Sequence, residues 1–258
     1  MKRFIYQKCV ELTNGKTTSS VLKAFTGSAY SKKIIPSYQK TFGIKMEEWE
    51  IPDKGFSSLQ EFFTREVKRG ARPISEDQNT LISPVDGKIE YAGPLASDGQ
   101  YIVKGHSYTI TDLLGSNAFA ETFRNGYMII LYLSPANYHR IHSPVNASVG
   151  RQWIFGRSSY PVNHIGLSYG DRPLSKNYRM VTELVTEHEK KFAFIKVGAM
   201  FVNSIHLSNT DDKWRKGEEV GFFRFGSTVI LVAEEGSIEL TKKFGPVKMG
   251  EVIGQLRV

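Results

Sequence analysis

The chain has 258 residues, of which 40% are hydrophobic and 23% are charged, so it can bury one large core or two modest ones. These values exclude global disorder, and no apolar run approaches the ~20 residues that cross a bilayer. The first fifteen residues are too polar for a secretory signal, and the single cysteine, Cys9, excludes an internal disulfide. We therefore expect a protein of a reducing compartment, on the cytoplasmic side of the cell.

The net charge of +8 is concentrated at one end of the chain. Residues 1–45 hold nine basic residues and one acidic residue, which accounts for the whole excess, so the remaining residues are neutral in sum. A basic arm on a neutral body is typical of an electrostatic tether to an anionic membrane, whereas a nucleic-acid reader carries its charge on a folded face. We therefore favour a membrane over a nucleic acid as partner.

The basic arm contains three sets of apolar residues at helical spacing. They are Phe4, Ile5, Val10 and Leu12, then Val21, Leu22 and Phe25, then Ile34, Ile35 and Tyr38. The pattern predicts short amphipathic helices broken at Asn14-Gly15, Gly27 and Pro36, and such helices can lie in a membrane interface. We assign residues 1–55 as a membrane-docking region; the alternative is that the apolar faces pack on the body.

Residues 56–258 are predicted to form the second region. A helix is expected to begin near Ser58, which has capping-box spacing to Glu61, and to run past Val67 to a stop at 69–73. From Leu81 onward, β-rich runs follow one another without helices between them, which predicts a mainly antiparallel sandwich-like or barrel-like core. The predicted strands are 88–92, 101–103, 127–133, 147–154, 178–185, 191–197, 219–223, 228–234 and 252–257. The fold class is thus α+β, with N-terminal helices and a β core.

Two histidines, His139 and His142, lie three residues apart between a strand and a proline-limited turn. An extended segment points residues i and i+3 to opposite faces, so the two rings are expected to have different tasks. A zinc site needs three or four ligands, and the sequence shows no matching cluster, so no metal is predicted. Asp86, in a turn, and Ser227, in a Gly-Ser-Thr break before an apolar strand, complete a possible Asp-His-Ser relay with His142.

Together these motifs resemble the phosphatidylserine decarboxylase family, and the resemblance runs from about Phe56 to the C-terminus. The matching segments are Ser83-Pro84-Val85-Asp86-Gly87, 138–144, 160–163, Phe225-Gly226-Ser227-Thr228, and the entry segment 62–67 with Arg72-Pro73-Ile74. Three positions depart from the family pattern: Phe225 replaces Leu, Tyr178 replaces Glu and Asn203 replaces Gly. The reacting groups are intact.

The resemblance implies a proenzyme that cuts itself between Gly226 and Ser227. The serine hydroxyl would attack the preceding carbonyl and convert the amide to an ester, and a glycine there leaves the approach open. β-Elimination and loss of ammonia would then leave a covalent pyruvoyl cofactor at position 227, which forms a Schiff base with the amine of phosphatidylserine and accepts the electrons released with carbon dioxide. The products would be phosphatidylethanolamine and two associated chains, 1–226 and 227–258.

The resemblance also implies a role for each polar side chain. His142, paired with Asp86, would activate Ser227 for cleavage, and His139 would act in the decarboxylation as proton donor. An ordinary histidine pKa near 6.5 suits both tasks. The expected setting is the cytoplasmic side of the cell membrane, where the enzyme binds peripherally, and a homodimer is possible.

Two other functions remain open at this point. Ser-Pro-x-x-Gly and Gly-Glu-x-x-Gly turns also occur in biotinyl or lipoyl carrier modules, with Lys248 as the modified residue, although the chain is long for one. A serine hydrolase could use Asp86, His142 and Ser227, but no Gly-x-Ser-x-Gly elbow is present. Self-cleavage into two chains separates the decarboxylase from both.

Overall fold

A computed structural model describes residues 16–96, 100–103, 106–160, 162, 167, 172–199, 205–224 and 227–257. The predicted helix around residues 4–12 and the predicted cleavage residue Gly226 lie outside these ranges.

Between residues 16 and 42 the N-terminal region is helical, as predicted. Helix α1 spans Lys16–Gly27, a 3₁₀ helix spans Ala29–Ile34, and helix α2 spans Ile35–Phe42. Pro36 was expected to break a helix, but it lies in the first turn of α2, where its missing N–H costs no hydrogen bond. Gly43 ends α2 in the left-handed conformation that glycine adopts without strain.

Helix α3 spans only Leu59–Phe63, and the prediction that it continues past Val67 is wrong. The predicted cap is present, since the Ser58 hydroxyl accepts a hydrogen bond from the Glu61 N–H at 3.2 Å. The helix stops early because the backbone leaves the helical conformation at Thr64, with φ −93° and ψ 20°, and Val67 then forms an antiparallel bridge with Trp49. Tertiary pairing has overridden the helical pattern.

The rest of the chain forms sixteen strands among the described residues. The strands are β1 Thr80–Ile82, β2 Gly87–Pro94, β3 Gln100–Val103, β4 His106–Thr109, β5 Tyr127–Leu133, β6 Arg140–His142, β7 Ala147–Phe155, β8 Arg179–Val185, β9 Lys191–Gly198, β10 Ile205–Leu207, β11 Lys213–Trp214, β12 Glu219–Phe223, β13 Ser227–Ala233, β14 Ile238–Leu240, β15 Gly245–Val247 and β16 Val252–Leu256.

These strands form four sheets. The largest has the order β11-β7-β8-β9-β13-β5-β2-β15, two sheets of three strands have the orders β1-β16-β14 and β10-β12-β6, and β3 pairs with β4. All named pairs are antiparallel. The predicted α+β class with an antiparallel core is confirmed, although the sheets do not close into a barrel.

Short helices interrupt the β region, contrary to the prediction of an uninterrupted run of strands. Helix α4 spans Ile110–Leu114, α5 spans Asn117–Glu121 and α6 spans Pro173–Lys176. Helix α4 has a complete capping box, in which the side chains of Thr109 and Asp112 each accept from the other's backbone N–H. Leu113 and Leu114 anchor it in the core.

The large sheet separates two apolar clusters because alternate residues of each strand face opposite sides. On β13, Val229 and Leu231 belong to the cluster that also contains Ile141 and Leu133, whereas Ile230 belongs to the cluster on the other face. Ser227 has the same parity as Val229. Its side chain is therefore on the face covered by the β10-β12-β6 sheet.

The N-terminal region is only partly packed on the body. Ile35, Ile44 and Phe56 share one apolar cluster with Phe62, so the cluster crosses the predicted boundary at residues 55 and 56. In contrast, Val21 and Tyr30 are 71% and 76% exposed. No helix in the described part of the chain is long and apolar enough to span a membrane.

Candidate active site

The sequence-predicted site residues meet at one end of the large sheet. Ser227 opens β13 and lies opposite Leu133 on one side and Gly198 on the other. One residue further, Thr228 pairs with Tyr132 of β5, and Tyr132 pairs with Lys88 of β2. The turn that carries Asp86 therefore lies two strands from Ser227, which is about 10 Å at the usual strand spacing.

The Asp86 carboxylate is buried and accepts three hydrogen bonds, two from Arg72 and one from the backbone of Met249. Arg72 donates from Nε to Oδ1 at 2.8 Å and from Nη2 to Oδ2 at 2.6 Å, and the Met249 N–H donates to Oδ1 at 2.8 Å. A bidentate pair of this kind fixes the carboxylate as an anion in one orientation. Asp86 is therefore a localised negative charge beneath the turn.

His142 is tied to the same turn through its backbone, since its N–H donates to the Pro84 carbonyl at 2.9 Å. Its ring Nδ1 lies 2.8 Å from the Gly217 carbonyl, which can only accept, so Nδ1 carries the proton. Nε2 then accepts from the Tyr138 hydroxyl at 3.1 Å. Burial lowers the pKa of His142 by more than the Gly217 carbonyl and nearby carboxylates raise it. The ring is therefore neutral at pH 7.

The Asp86 and His142 side chains are not hydrogen-bonded to each other. Asp86 uses Arg72 and Met249, whereas His142 uses Gly217 and Tyr138. The structure thus brings the members of the predicted relay to one end of the sheet without joining them in a hydrogen-bonded chain. The relay stays a prediction.

His139 has different surroundings from His142, as the three-residue spacing predicts. It is fully buried, its Nδ1 lies 2.9 Å from the Asn137 carbonyl, and its ring contacts the Phe63 ring at a centroid distance of 3.9 Å. Its Nε2 is buried and has no hydrogen-bond partner in the described part of the chain. Burial, helped by the charge of Arg65, lowers the pKa of His139 to about 3, so the expectation of an ordinary pKa does not hold.

The Ser227 hydroxyl is also fully buried, and its Oγ has no hydrogen-bond partner among the described residues. Leaving a buried hydroxyl without a partner costs about 1–3 kcal/mol, and among the described residues the Ser227 hydroxyl shares this feature with the hydroxyl of the next residue, Thr228. The preceding residue, Gly226, lies outside the described residues.

Three side chains that support the site were given no role by sequence reasoning. Arg72 holds Asp86, and Arg65 donates to the carbonyls of Ala136 and Asn137 at 2.7 and 3.1 Å. Asn177, also buried, donates to the carbonyls of Tyr160 and of Gly198, the residue opposite Ser227. Arg65 and Arg72 occur in the matching motifs, but their partners lie far away in sequence, so no local pattern identifies them.

The described residues contain no group of three or more His, Cys, Asp or Glu side chains that could hold a metal ion. The predicted site residues supply instead one bound carboxylate, two neutral imidazoles and one buried hydroxyl, supported by the guanidinium groups of Arg65 and Arg72. This set can move protons and can supply an oxygen nucleophile.

Comparisons with known proteins agree with the motif resemblance. The sequence model of the family described as Phosphatidylserine decarboxylase matches residues 59–255. A phosphatidylserine decarboxylase proenzyme from Geobacillus sp. (strain WCH70) is 48% identical over 260 residues, which covers 100% of both chains. Proenzymes of the same name from Geobacillus kaustophilus and Anoxybacillus flavithermus are 45% and 47% identical, covering 98% and 99% of this chain and 97% of each relative. The resemblance predicted from the motifs is confirmed.

Proposed function

The chain belongs to the phosphatidylserine decarboxylase family of enzymes, and we propose that it converts phosphatidylserine to phosphatidylethanolamine through a pyruvoyl group made from Ser227. The observation that carries the mechanism is the buried Ser227 hydroxyl, which has no hydrogen-bond partner in the described part of the chain. The names of the relatives, all proenzymes, support a self-processing step.

The surroundings of Ser227 fit such a group. The residue opens a buried strand, and its neighbours across the sheet, Leu133 and Gly198, present no ionised side chain to it. When formed, the pyruvoyl group would supply a carbonyl that condenses with the substrate amine and accepts the electron pair left by carbon dioxide. A site enclosed by apolar residues would keep water from competing.

For the cleavage step, His142 is the proposed base. Its ring is neutral because burial lowers its pKa, so Nε2 can accept the Ser227 proton once the Tyr138 hydroxyl gives way. The Asp86 carboxylate, fixed by Arg72, would stabilise the imidazolium that forms. The nucleophile would then attack the carbonyl of residue 226.

The sheet explains how the two chains would stay together after cleavage. β13 begins at the cut and lies between β5 and β9, paired with each over seven residues. β15 and β16, further along the short chain, pair with β2 and β1 of the long chain. Separation would therefore break the large sheet at its centre. Homodimerisation stays a prediction.

The test is the mass of the purified protein. We expect chains of 1–226 and 227–258, with the shorter one blocked to Edman degradation by a ketone, whereas Ser227→Ala remains a single chain. Ser237→Ala is the matched control, because Ser237 is also fully buried but donates to the Glu234 carbonyl. An uncut and active wild type would end the pyruvoyl proposal. A mass increase on Lys248 would support a carrier, and a fluorophosphonate label on Ser227 of an uncut chain would support a hydrolase.

The N-terminal region is the proposed membrane contact. Val21, Phe25 and Tyr30 are exposed large apolar side chains, and they lie beside exposed lysines. No acidic residue occurs between Lys16 and Met46. This combination suits a peripheral contact with anionic lipid, in which each lysine contributes about 1 kcal/mol and the apolar side chains add a part that salt does not screen.

Liposome co-sedimentation tests this contact. Replacing Lys23, Lys32 and Lys33 together with glutamine should weaken binding to anionic vesicles by up to about 100-fold, from ~1 kcal/mol per residue, with little effect on zwitterionic vesicles. The control replaces Lys213 and Lys243, which are exposed on the β body. Equal loss in both variants would move the membrane contact away from the N-terminal region.

A further inference from the structure

Arg65 is a buried guanidinium that forms no ion pair with a carboxylate in the described part of the chain. It is 2% exposed and lies over the Trp49 ring at 4.0 Å. Its donors go to main-chain carbonyls: Nη1 to Phe62 at 3.0 Å, and Nη2 to Ala136 at 2.7 Å and to Asn137 at 3.1 Å. Burying an unpaired cation is costly, so the segment that it grips is expected to matter.

The segment that Arg65 holds, residues 136–137, leads directly to His139, and the side chains of Arg65 and His139 share one acceptor. The Asn137 carbonyl receives both Arg65 Nη2 and His139 Nδ1, the latter at 2.9 Å. A carbonyl only accepts, so the Nδ1 of His139 carries the proton and Nε2 holds the lone pair. The Phe63 ring lies against the imidazole, with its centroid 3.9 Å away and its plane tilted by 37°. Nε2 is buried with no partner among the described residues.

The chain connections place His139 near Ser227. The His139 carbonyl accepts from the Phe223 N–H at 2.9 Å, and Phe223 precedes Ser227 by four residues, which span at most about 14 Å. His139 and Ile141 share a face of the extended segment, as Ser227 and Val229 do on β13. Ile141 and Val229 belong to one apolar cluster, so by this parity His139 and Ser227 are on the side of their segments that faces the same cluster.

We propose that Arg65 is a positioning residue for decarboxylation: by holding the Asn137 carbonyl it presents His139 as a neutral Nδ1–H imidazole whose Nε2 first accepts a proton from the substrate. This inference rests on the proposed function. The substrate ammonium gives one proton to Nε2, and the free amine would condense with the pyruvoyl carbonyl with loss of water. The bond from the α-carbon to the carboxylate breaks, carbon dioxide leaves, the electron pair of that bond would pass to the pyruvoyl group, and Nε2 returns its proton to the α-carbon. Water would then release the product amine and restore the carbonyl, and solvent reprotonates the amine, so His139 donates only what it has accepted.

The charges around His139 agree with a ring that accepts a proton before it donates one. Arg65 is the charged side chain among the described residues whose field acts on His139, and both its charge and burial favour the neutral ring. A ring already protonated at pH 7 could not accept the ammonium proton. Removal of the Arg65 charge should therefore make His139 easier to protonate.

The experiment compares Arg65→Gln and Arg65→Lys with Arg69→Gln, which removes an exposed arginine of the same segment. All chains should cleave at residue 227, and this reports a folded protein. Arg65→Gln should lower kcat by about 10- to 100-fold with KM little changed, and the acidic limb of its pH–rate profile should move to higher pH. Arg65→Lys, which keeps the charge, should recover the pH limb but not the full rate.

A readout independent of activity is ¹⁵N NMR of the histidines in the uncleaved Ser227→Ala chain. We expect His139 as the Nδ1–H tautomer from about pH 8 to pH 5, and earlier protonation when Arg65→Gln is added. An Nε2–H tautomer, or a His139 titration that Arg65→Gln leaves unmoved, would overturn the proposal even if activity falls. If an Arg65 variant does not cleave, the His139 tautomer measured in the Ser227→Ala chain still tests the proposal. An uncut wild type would instead refute the proposed function.

Discussion

Lys196 is a fully buried lysine in the strand next to β13, and its removal should stabilise the protein. Its Nζ donates to the Thr182 hydroxyl at 2.6 Å and lies over the rings of Phe194 and Trp214, at 4.4 and 5.4 Å from their centroids. No described carboxylate forms an ion pair with it. Burial lowers its pKa from 10.5 to about 7.

The magnitude follows from this pKa difference. Because the pKa falls from 10.5 to about 7, and each tenfold change in proton affinity is worth about 1.4 kcal/mol, the charged form costs up to about 5 kcal/mol in the folded protein. The unfolded chain binds more protons than the folded chain between about pH 7 and pH 10.5, so the free energy of unfolding rises with pH in that window. The cost is therefore fully present below about pH 7 and disappears above about pH 10.5.

The perturbation is Lys196→Met, which keeps the length of the side chain and removes the amine. The variant loses the hydrogen bond to Thr182 and the contacts with the two rings, together worth about 2–3 kcal/mol. We therefore expect a net gain of about 1–3 kcal/mol at pH 7, decreasing as the pH is raised towards 10.

Urea unfolding followed by far-UV circular dichroism measures this gain. The Ser227→Ala background keeps one chain, so that unfolding and refolding involve the same species. Lys191→Met is the control, because Lys191 lies at the start of the same strand with its side chain 42% exposed. A Lys196→Met protein that is less stable at pH 7, with a deficit that does not vary with pH, would refute the argument from burial.

Two further predictions concern the site and the sheet. His142→Ala and Asp86→Ala should remain single chains on a gel, whereas His139→Ala should cleave yet release carbon dioxide at least about 100-fold more slowly, from the usual weight of a general acid or base; cleavage that depends on His139 alone would reverse these roles. Gly221→Ala should lower the free energy of unfolding by more than about 2 kcal/mol, because its Cβ would lie 2.3 Å from the His206 carbonyl oxygen. At Gly93→Ala the nearest atom is the Tyr91 hydroxyl oxygen at 3.2 Å, at the end of a side chain rather than in the backbone, so a similar loss in both variants would contradict this reasoning.

The sequence determined the elements that have a local pattern. Each of the nine predicted strands corresponds to an observed strand, since runs such as 127–133 and 191–197 are long enough to show β-rich composition. Strands of two or three residues, such as β6 and β11, escaped prediction because they exist only through their partners. The short helix α4 escaped too, although Thr109 and Asp112 have capping-box spacing.

In the candidate site, too, the sequence identified the residues and the tertiary structure decided their partners. Asp86, His139, His142 and Ser227 were named from short motifs, and the structure places all four at one end of the large sheet. The partner of each side chain was decided by tertiary structure. Asp86 binds Arg72 rather than His142, and the segment before His139 is held by an arginine more than 70 residues earlier.

The protonation states show most clearly what only the tertiary structure decided. The sequence identified the histidines but suggested an ordinary pKa, whereas burial lowers the pKa of both rings. It predicted a strand around Lys196 but not that the amine would be enclosed by aromatic rings. Residue type sets the intrinsic pKa of a group. Its working value depends on desolvation and on charges brought near by distant segments, and these exist only once the chain has packed.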